Sequence, residues 1–112
     1  MSPKGQIHLW FTQRVSAMVL ALCVVVHLLT IIYAVRNGLT ATEILGRTRG
    51  HAGWLAFYSV FVAAVALHAP IGLRTILSEM TGARSRAIDV LAIAFGLLVL
   101  AMGLRAVWAV FA

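Results

Sequence analysis

Two histidines, His27 and His68, lie inside long apolar stretches of the sequence. A polar side chain within an apolar membrane helix is unfavourable unless a partner satisfies it. An imidazole finds that partner either in a hydrogen bond to another helix or in a metal ion bound through a ring nitrogen. The residues around each histidine indicate which chemistry the sequence favours.

The surroundings of His68 favour binding of a flat cofactor. Ala64, His68 and Gly72 are spaced by four and therefore share one face of a helix. Small neighbours leave a flat recess beside the imidazole, as a haem requires, because its plane stands perpendicular to the iron–nitrogen bond. Pro70 predicts a bend nearby. The same small residues also permit close helix packing without a cofactor, so that alternative stays open.

His27 lies on a small and polar stripe of the first apolar run, which is predicted to face other helices. The other members of the stripe are Ser16, Leu20, Cys23, Thr30 and Ala34. The third run has a comparable smooth face, formed by Ala92, Gly96 and Gly103. Three helices alone make a thin bundle, so the sequence predicts that they pack with partner helices.

The elements that position these residues are three predicted transmembrane helices. Of 112 residues, 62% are hydrophobic and 11% charged, which is more apolar surface than a soluble domain of this size can bury. The apolar runs cover residues 12–35, 52–74 and 87–111, and each is long enough to cross about 30 Å of hydrocarbon. We therefore predict an all-α membrane protein with a single membrane-anchor domain, residues 1–112.

The connections are predicted to be short. Residues 7–11, with Trp10, indicate an interfacial segment before the first span. Residues 40–43 form a capping-box pattern, which predicts a short surface helix. Residues 78–85, with Gly82, are typical of a turn.

The net charge of +6 does not indicate nucleic-acid binding, because the basic residues lie at the ends of apolar runs. Five basic residues are assigned to the side that holds the N-terminus and the connection between the second and third spans: Lys4, Arg14, Arg74, Arg84 and Arg86. Three are assigned to the connection between the first two spans: Arg36, Arg47 and Arg49. This excess predicts a cytoplasmic N-terminus and a C-terminus outside. With its three spans, the chain is expected to be a multi-pass protein of the cytoplasmic (inner) membrane.

Depth separates the two histidines. His27 lies thirteen residues beyond Arg14, roughly 20 Å into the membrane, and His68 lies six residues before Arg74, roughly 9 Å from the same side. The axial ligands of one upright haem need similar depths. The sequence therefore predicts that His27 and His68 do not ligate the same haem.

Two stretches resemble the membrane-anchor subunits of succinate dehydrogenase and fumarate reductase. Residues 68–74, His-Ala-Pro-Ile-Gly-Leu-Arg, followed by Glu79, resemble the family's His-x-x-x-Gly-x-Arg stretch and later acidic residue. Residues 13–17, Gln-Arg-Val-Ser-Ala, are similar to its His-Arg-x-Ser-Gly stretch. The number of spans and the chain length also match those of the family. Three residues depart from its pattern: Glu79 replaces the usual aspartate, Gln13 a common histidine and Met80 a frequent tyrosine.

The resemblance implies roles for individual residues. It makes His68 an axial ligand of haem b and His27 a candidate ligand of a second haem, as in two-haem relatives. It places Arg14 and Ser16 near a quinone or a haem propionate, and Arg74 near the propionates or a docked iron–sulfur subunit. Independently, donors at the end of the first span beside Trp10 suit a quinone head group.

The function implied is a haem b-containing membrane anchor of succinate:quinone oxidoreductase (complex II), a non-catalytic subunit of the enzyme. Its partners would be a second anchor subunit, an iron–sulfur subunit and a flavoprotein, and its quinone either ubiquinone or menaquinone. One alternative is the cytochrome b subunit of another respiratory oxidoreductase, such as a hydrogenase. Another is a small multidrug-type transporter, which needs a membrane-embedded carboxylate; Glu43, Glu79 and Asp89 all lie near span ends.

Overall fold

The computed structural model describes residues 2–112, which form four α-helices and no β-strand. These are α1 (Pro3–Asn37), α2 (Ala41–Thr48), α3 (Ala52–Thr81) and α4 (Arg86–Phe111). Three of them, α1, α3 and α4, are long and apolar enough to cross a membrane. The prediction of an all-α membrane protein with three transmembrane helices is confirmed.

Helix α1 is longer than the predicted first span. It begins at Pro3, where the Ser2 hydroxyl accepts a hydrogen bond from the amide of Gly5. Its 35 residues extend about 52 Å, well beyond a hydrocarbon core of about 30 Å. The predicted interfacial segment at residues 7–11 is therefore the continuous start of α1 and not a separate element.

The predicted surface helix is confirmed as α2, which Thr40 caps by accepting a hydrogen bond from the Glu43 amide over 3.2 Å. It packs against the C-terminal end of α4. The Thr48 hydroxyl donates to the carbonyl oxygen of Val110 over 2.7 Å, and this bond ties α2 to the end of α4.

The second connection is shorter than predicted, because α3 continues to Thr81. Gly82 ends the helix in the left-handed conformation, at φ 67°, which glycine adopts without a steric penalty. Ser85 then caps α4 by accepting from the amide of Ile88 over 3.3 Å. The turn comprises only residues 82–85.

Helix α3 is the centre of the arrangement, because both α1 and α4 pack against it. It runs antiparallel to α1, with His68 beside Ser16 and Tyr58 beside His27. The chain measures 49 × 24 × 22 Å. Few side chains are buried and large apolar ones cover the outside, as expected for a surface that meets lipid and partner helices.

The smooth face predicted for α4 is the face that packs against α3. Ala92 is 4% exposed and Gly96 is buried. A Cβ atom added to Gly96 would lie 2.9 Å from Cγ of Pro70, so the backbone of α4 approaches the proline ring closely. Gly103 approaches Val62 in the same way. Small residues thus allow the close contact between α3 and α4.

We expect Gly96→Ala to destabilise the protein, because the rigid Pro70 ring leaves no room for a methyl group. Overpacking of this kind costs about 1–3 kcal/mol. A lower thermal unfolding midpoint of the purified assembly would report it. Gly53→Ala is the matched control, because a Cβ atom there meets nothing within 4 Å. Equal midpoints for the two variants would contradict the prediction.

Candidate functional site

His68 lies at the contact between α3 and α1, where its Nδ1 atom is 3.3 Å from the hydroxyl oxygen of Ser16. Ser16 is 5% exposed, and its hydroxyl also donates to the backbone carbonyl oxygen of Gln13 over 3.0 Å. Two of the sequence-predicted site residues, separated by 52 positions, are therefore in direct contact.

The flat recess predicted beside His68 depends on its two small neighbours, Ala64 and Gly72. Ala64 is 6% exposed, and Gly72 faces the side chain of Gln13, whose Nε2 atom would lie 3.3 Å from an added Cβ atom. The small residues also let α1 approach α3 closely, which is the packing alternative that the sequence left open. At Gly72 the space is taken by Gln13, whereas a cavity of about 320 Å³ adjoins Ala64, so the recess beside His68 stays a prediction.

The second ring nitrogen of His68 remains available. Within residues 2–112, Nε2 makes no hydrogen bond. It is also not fully enclosed, because it is absent from the polar atoms that are buried without a partner. It therefore keeps some accessible surface, on a side chain that is half-buried. The imidazole has one nitrogen engaged within the chain and one free.

His27 lies in a different environment, beside the aromatic side chains of α3. Its Nδ1 atom is 3.4 Å from the hydroxyl oxygen of Tyr58, and its ring meets those of Tyr58 and Phe61 edge to face. It also lines two cavities, one of about 810 Å³ with Thr30, Trp54 and Tyr58, and one of about 470 Å³. His27 thus combines an internal partner with open space on both sides.

The two histidines lie at different levels along the bundle. Since His68 is level with Ser16, His27 is eleven residues farther along α1, about 16 Å at the helical rise. This separation exceeds the roughly 10 Å expected from depth alone. The structure does not bring His27 and His68 into one site.

The end of the bundle that carries the N-terminus holds a basic cavity of about 430 Å³. It is lined by Trp10, Gln13, Arg14, Arg74 and Arg84, among others. The Arg14 guanidinium stacks over the Trp10 ring, with its central carbon 4.6 Å from the ring centroid. Four predicted site residues, Trp10, Arg14, Ser16 and Arg74, thus lie near this end, although Ser16 is directed at His68.

Gln13 contributes an unusual feature to this cavity. Its Oε1 atom is the buried side-chain acceptor without a hydrogen-bond partner among residues 2–112. A buried acceptor without a donor costs about 1–3 kcal/mol. Because the atom is buried, a donor in the cavity would remove that cost only after the Gln13 side chain rotates.

Arg74 is engaged by a residue that sequence reasoning missed. Its Nε atom donates to Oδ1 of Asp89 over 2.6 Å, and the Arg74 side chain is 19% exposed. Asp89 lies in the first turn of α4, where a carboxylate is favoured by the helix dipole. The two terminal nitrogens of Arg74 make no hydrogen bond within residues 2–112. Glu79, by contrast, is exposed.

Tyr58 was the other residue missed. The sequence did contain a signal for Tyr58. If α1 and α3 are antiparallel and Ser16 lies opposite His68, then His27, eleven residues farther along α1, must lie opposite residue 57 or 58 of α3. No bare metal-ion site accompanies these residues, since no three His, Cys, Asp or Glu side chains within residues 2–112 could hold an ion together. If His27 or His68 binds a metal ion, this chain supplies that histidine as a single ligand.

The chain matches a known protein family. The model of the succinate dehydrogenase/fumarate reductase transmembrane subunit family matches residues 1–109. No curated protein and no solved structure matches the chain.

Proposed function

The chain belongs to the succinate dehydrogenase/fumarate reductase transmembrane subunit family, and on this premise we propose that it is a haem b-containing anchor of succinate:quinone oxidoreductase. It would hold the iron–sulfur and flavoprotein subunits at the cytoplasmic face of the inner membrane, together with a second anchor subunit. Oxidation of succinate, or reduction of fumarate, would take place on the flavoprotein. The transporter alternative does not fit this family.

The observation that carries the proposal is the pair of ring nitrogens of His68, with Nδ1 beside Ser16 and Nε2 without a hydrogen bond within residues 2–112 and not fully enclosed. An imidazole with one nitrogen fixed by a protein partner and the other free fits the donor that a b-type haem requires. A haem held there would supply one-electron transfer chemistry. Since this chain offers one nitrogen at that level, the second anchor subunit would supply a further ligand.

We extend the proposal to a second haem at His27. Two cavities of about 810 and 470 Å³ adjoin this histidine, and their walls are largely aromatic and aliphatic. The separation of about 16 Å from the level of His68 supports separate sites on opposite halves of the membrane. His27 would ligate the haem farther from the cytoplasm, again with a partner-subunit ligand.

Arg14 and Arg74 are suited to acidic groups on the cytoplasmic side of His68. Asp89 holds the Nε atom of Arg74, whose terminal nitrogens make no hydrogen bond within residues 2–112, so the guanidinium is oriented before a propionate arrives. Arg14 is exposed and held only by its stacking on Trp10. We assign Arg74 to a haem propionate or to the docked iron–sulfur subunit, and Arg14 to the quinone or a propionate.

The cavity of about 430 Å³ beside Trp10 would receive the quinone head group. Arg14 would donate a hydrogen bond to a quinone carbonyl, and Trp10 would cover the ring. Rotation of the Gln13 side chain would bring its buried, unpartnered Oε1 atom into the cavity, where it would accept a hydrogen bond from the reduced, quinol form. Ubiquinone and menaquinone both present these groups.

Purification of the intact membrane complex tests this function. We expect a flavoprotein and an iron–sulfur protein of succinate dehydrogenase type to co-purify with the chain, together with b-type absorption. Co-purification of hydrogenase subunits would instead support the other respiratory oxidoreductase. A succinate dehydrogenase complex without b-type absorption would contradict the haem assignment.

His27→Ala tests the second haem. We expect the variant to halve the ratio of haem to flavin, measured as pyridine haemochrome, because alanine offers no ligand. Tyr58→Phe is the comparison variant, since it removes the neighbour's hydroxyl and keeps the imidazole. An unchanged ratio in His27→Ala would show that His27 is a hydrogen-bonded structural residue.

A further inference from the structure

Ser16 has contacts that a quinone-binding role does not explain. It is the one buried polar residue within residues 2–112, with 5% of its surface exposed. Its hydroxyl oxygen lies 3.0 Å from the Gln13 carbonyl oxygen and 3.3 Å from Nδ1 of His68. Both contacts are internal to the chain, so the hydroxyl is already engaged before any ligand binds.

The carbonyl group determines where the hydroxyl proton points. A carbonyl oxygen only accepts hydrogen bonds, and a serine hydroxyl has one proton to donate. The contact to the Gln13 carbonyl is the shorter of the two and takes the Ser16 proton, so the Ser16 oxygen is placed to accept from an Nδ1–H group of His68. A neutral imidazole carries one N–H, so Nε2 of His68 keeps its lone pair.

We infer that Ser16 is a positioning residue that holds His68 in the tautomer able to ligate iron through Nε2. The inference rests on the haem assignment made in the proposed function. A hydrogen bond donated by the second ring nitrogen orients a ligating histidine and raises its basicity. A more basic ligand stabilises ferric over ferrous iron, so Ser16 lowers the reduction potential of the haem at His68.

The pair of His27 and Tyr58 lacks this constraint. The Tyr58 hydroxyl lies 3.4 Å from Nδ1 of His27 and makes no other hydrogen bond within residues 2–112. It can therefore donate or accept, and it does not select a tautomer of His27. Tyr58→Phe removes a hydroxyl beside the other histidine, which makes it the matched comparison for Ser16→Ala.

The test is a redox titration of the purified complex, with the low-field electron paramagnetic resonance signal of each ferric haem as a second readout. We expect Ser16→Ala to retain haem and to raise the potential of one haem. The expected change is a roughly tenfold shift of the ferric-to-ferrous ratio, about 59 mV for one electron. Ser16→Thr, which keeps the hydroxyl, should leave that potential near the wild-type value, and Tyr58→Phe should not move it.

Ser16→Ala with unchanged potentials and unchanged resonance signals would overturn the inference. Loss of flavin from the membranes would also overturn it, because Ser16 would then be a residue needed only for packing. Alanine is smaller than serine and a good helix former, so the variant is expected to assemble. A wild-type complex without haem, or full haem in His68→Ala, would refute the proposed function itself, a result distinct from an inert Ser16→Ala.

Discussion

Replacing His68 with alanine is expected to remove one haem from the complex and to halve its ratio of haem to flavin. Alanine has no lone pair to offer iron, and no other histidine of this chain lies level with Ser16, where Nε2 of His68 is available. The methyl group also leaves the Ser16 oxygen without its donor, so exogenous imidazole is expected to restore part of the haem. Pyridine haemochrome and flavin measured on the same sample give the ratio.

His8→Ala is the control for this prediction. His8 is exposed near the start of α1, eight residues before Ser16, which is the α1 residue beside His68. It should keep the full haem content. If His68→Ala kept it as well, with flavin bound and the complex intact, His68 would be a structural residue and the electron-carrier role of this chain would fail.

Arg14→Leu is expected to weaken reduction of quinone by succinate without affecting succinate oxidation by an artificial dye acceptor. A hydrogen bond to a charged group contributes about 1.5–3 kcal/mol, so its loss corresponds to an increase of about 10- to 150-fold in the quinone KM. The dye takes electrons before they reach the membrane anchor, so the two assays separate quinone binding from succinate chemistry.

Arg36→Leu is the matched control, because it removes the same charge from the opposite end of α1. It should leave both assays near wild type. Arg14→Lys adds a second comparison, since lysine keeps the charge but cannot present a planar group to stack over Trp10. Equal quinone kinetics in Arg14→Leu and Arg36→Leu would show that Arg14 is only a topology signal.

The fold was predictable from hydropathy and from local capping patterns. Long uncharged runs have few stable forms in a membrane, so three spans followed directly. The capping pattern at Thr40 predicted α2, and the small residues on α4 predicted the face that Gly96 presents to Pro70. The start of α1 was not predicted, because its first turns are too polar to register as a span.

For the candidate site, the sequence offered a set of residues but not their geometry. His68, Ser16, Arg14 and Arg74 were all chosen from the sequence, yet hydropathy does not contain the register between α1 and α3. That register decides that Ser16 meets His68 and that Gln13 fills the space beside Gly72. The Arg74–Asp89 pair depends in the same way on how α3 and α4 are aligned.

A density map of the intact complex, recorded with its native cofactors, tests the central claim most directly. The account predicts a porphyrin whose iron is bonded to Nε2 of His68, while Nδ1 of the same ring remains beside the Ser16 hydroxyl. An Nε2 atom bonded only to protein or water, with no porphyrin beside it, would contradict the claim that this chain binds haem through His68.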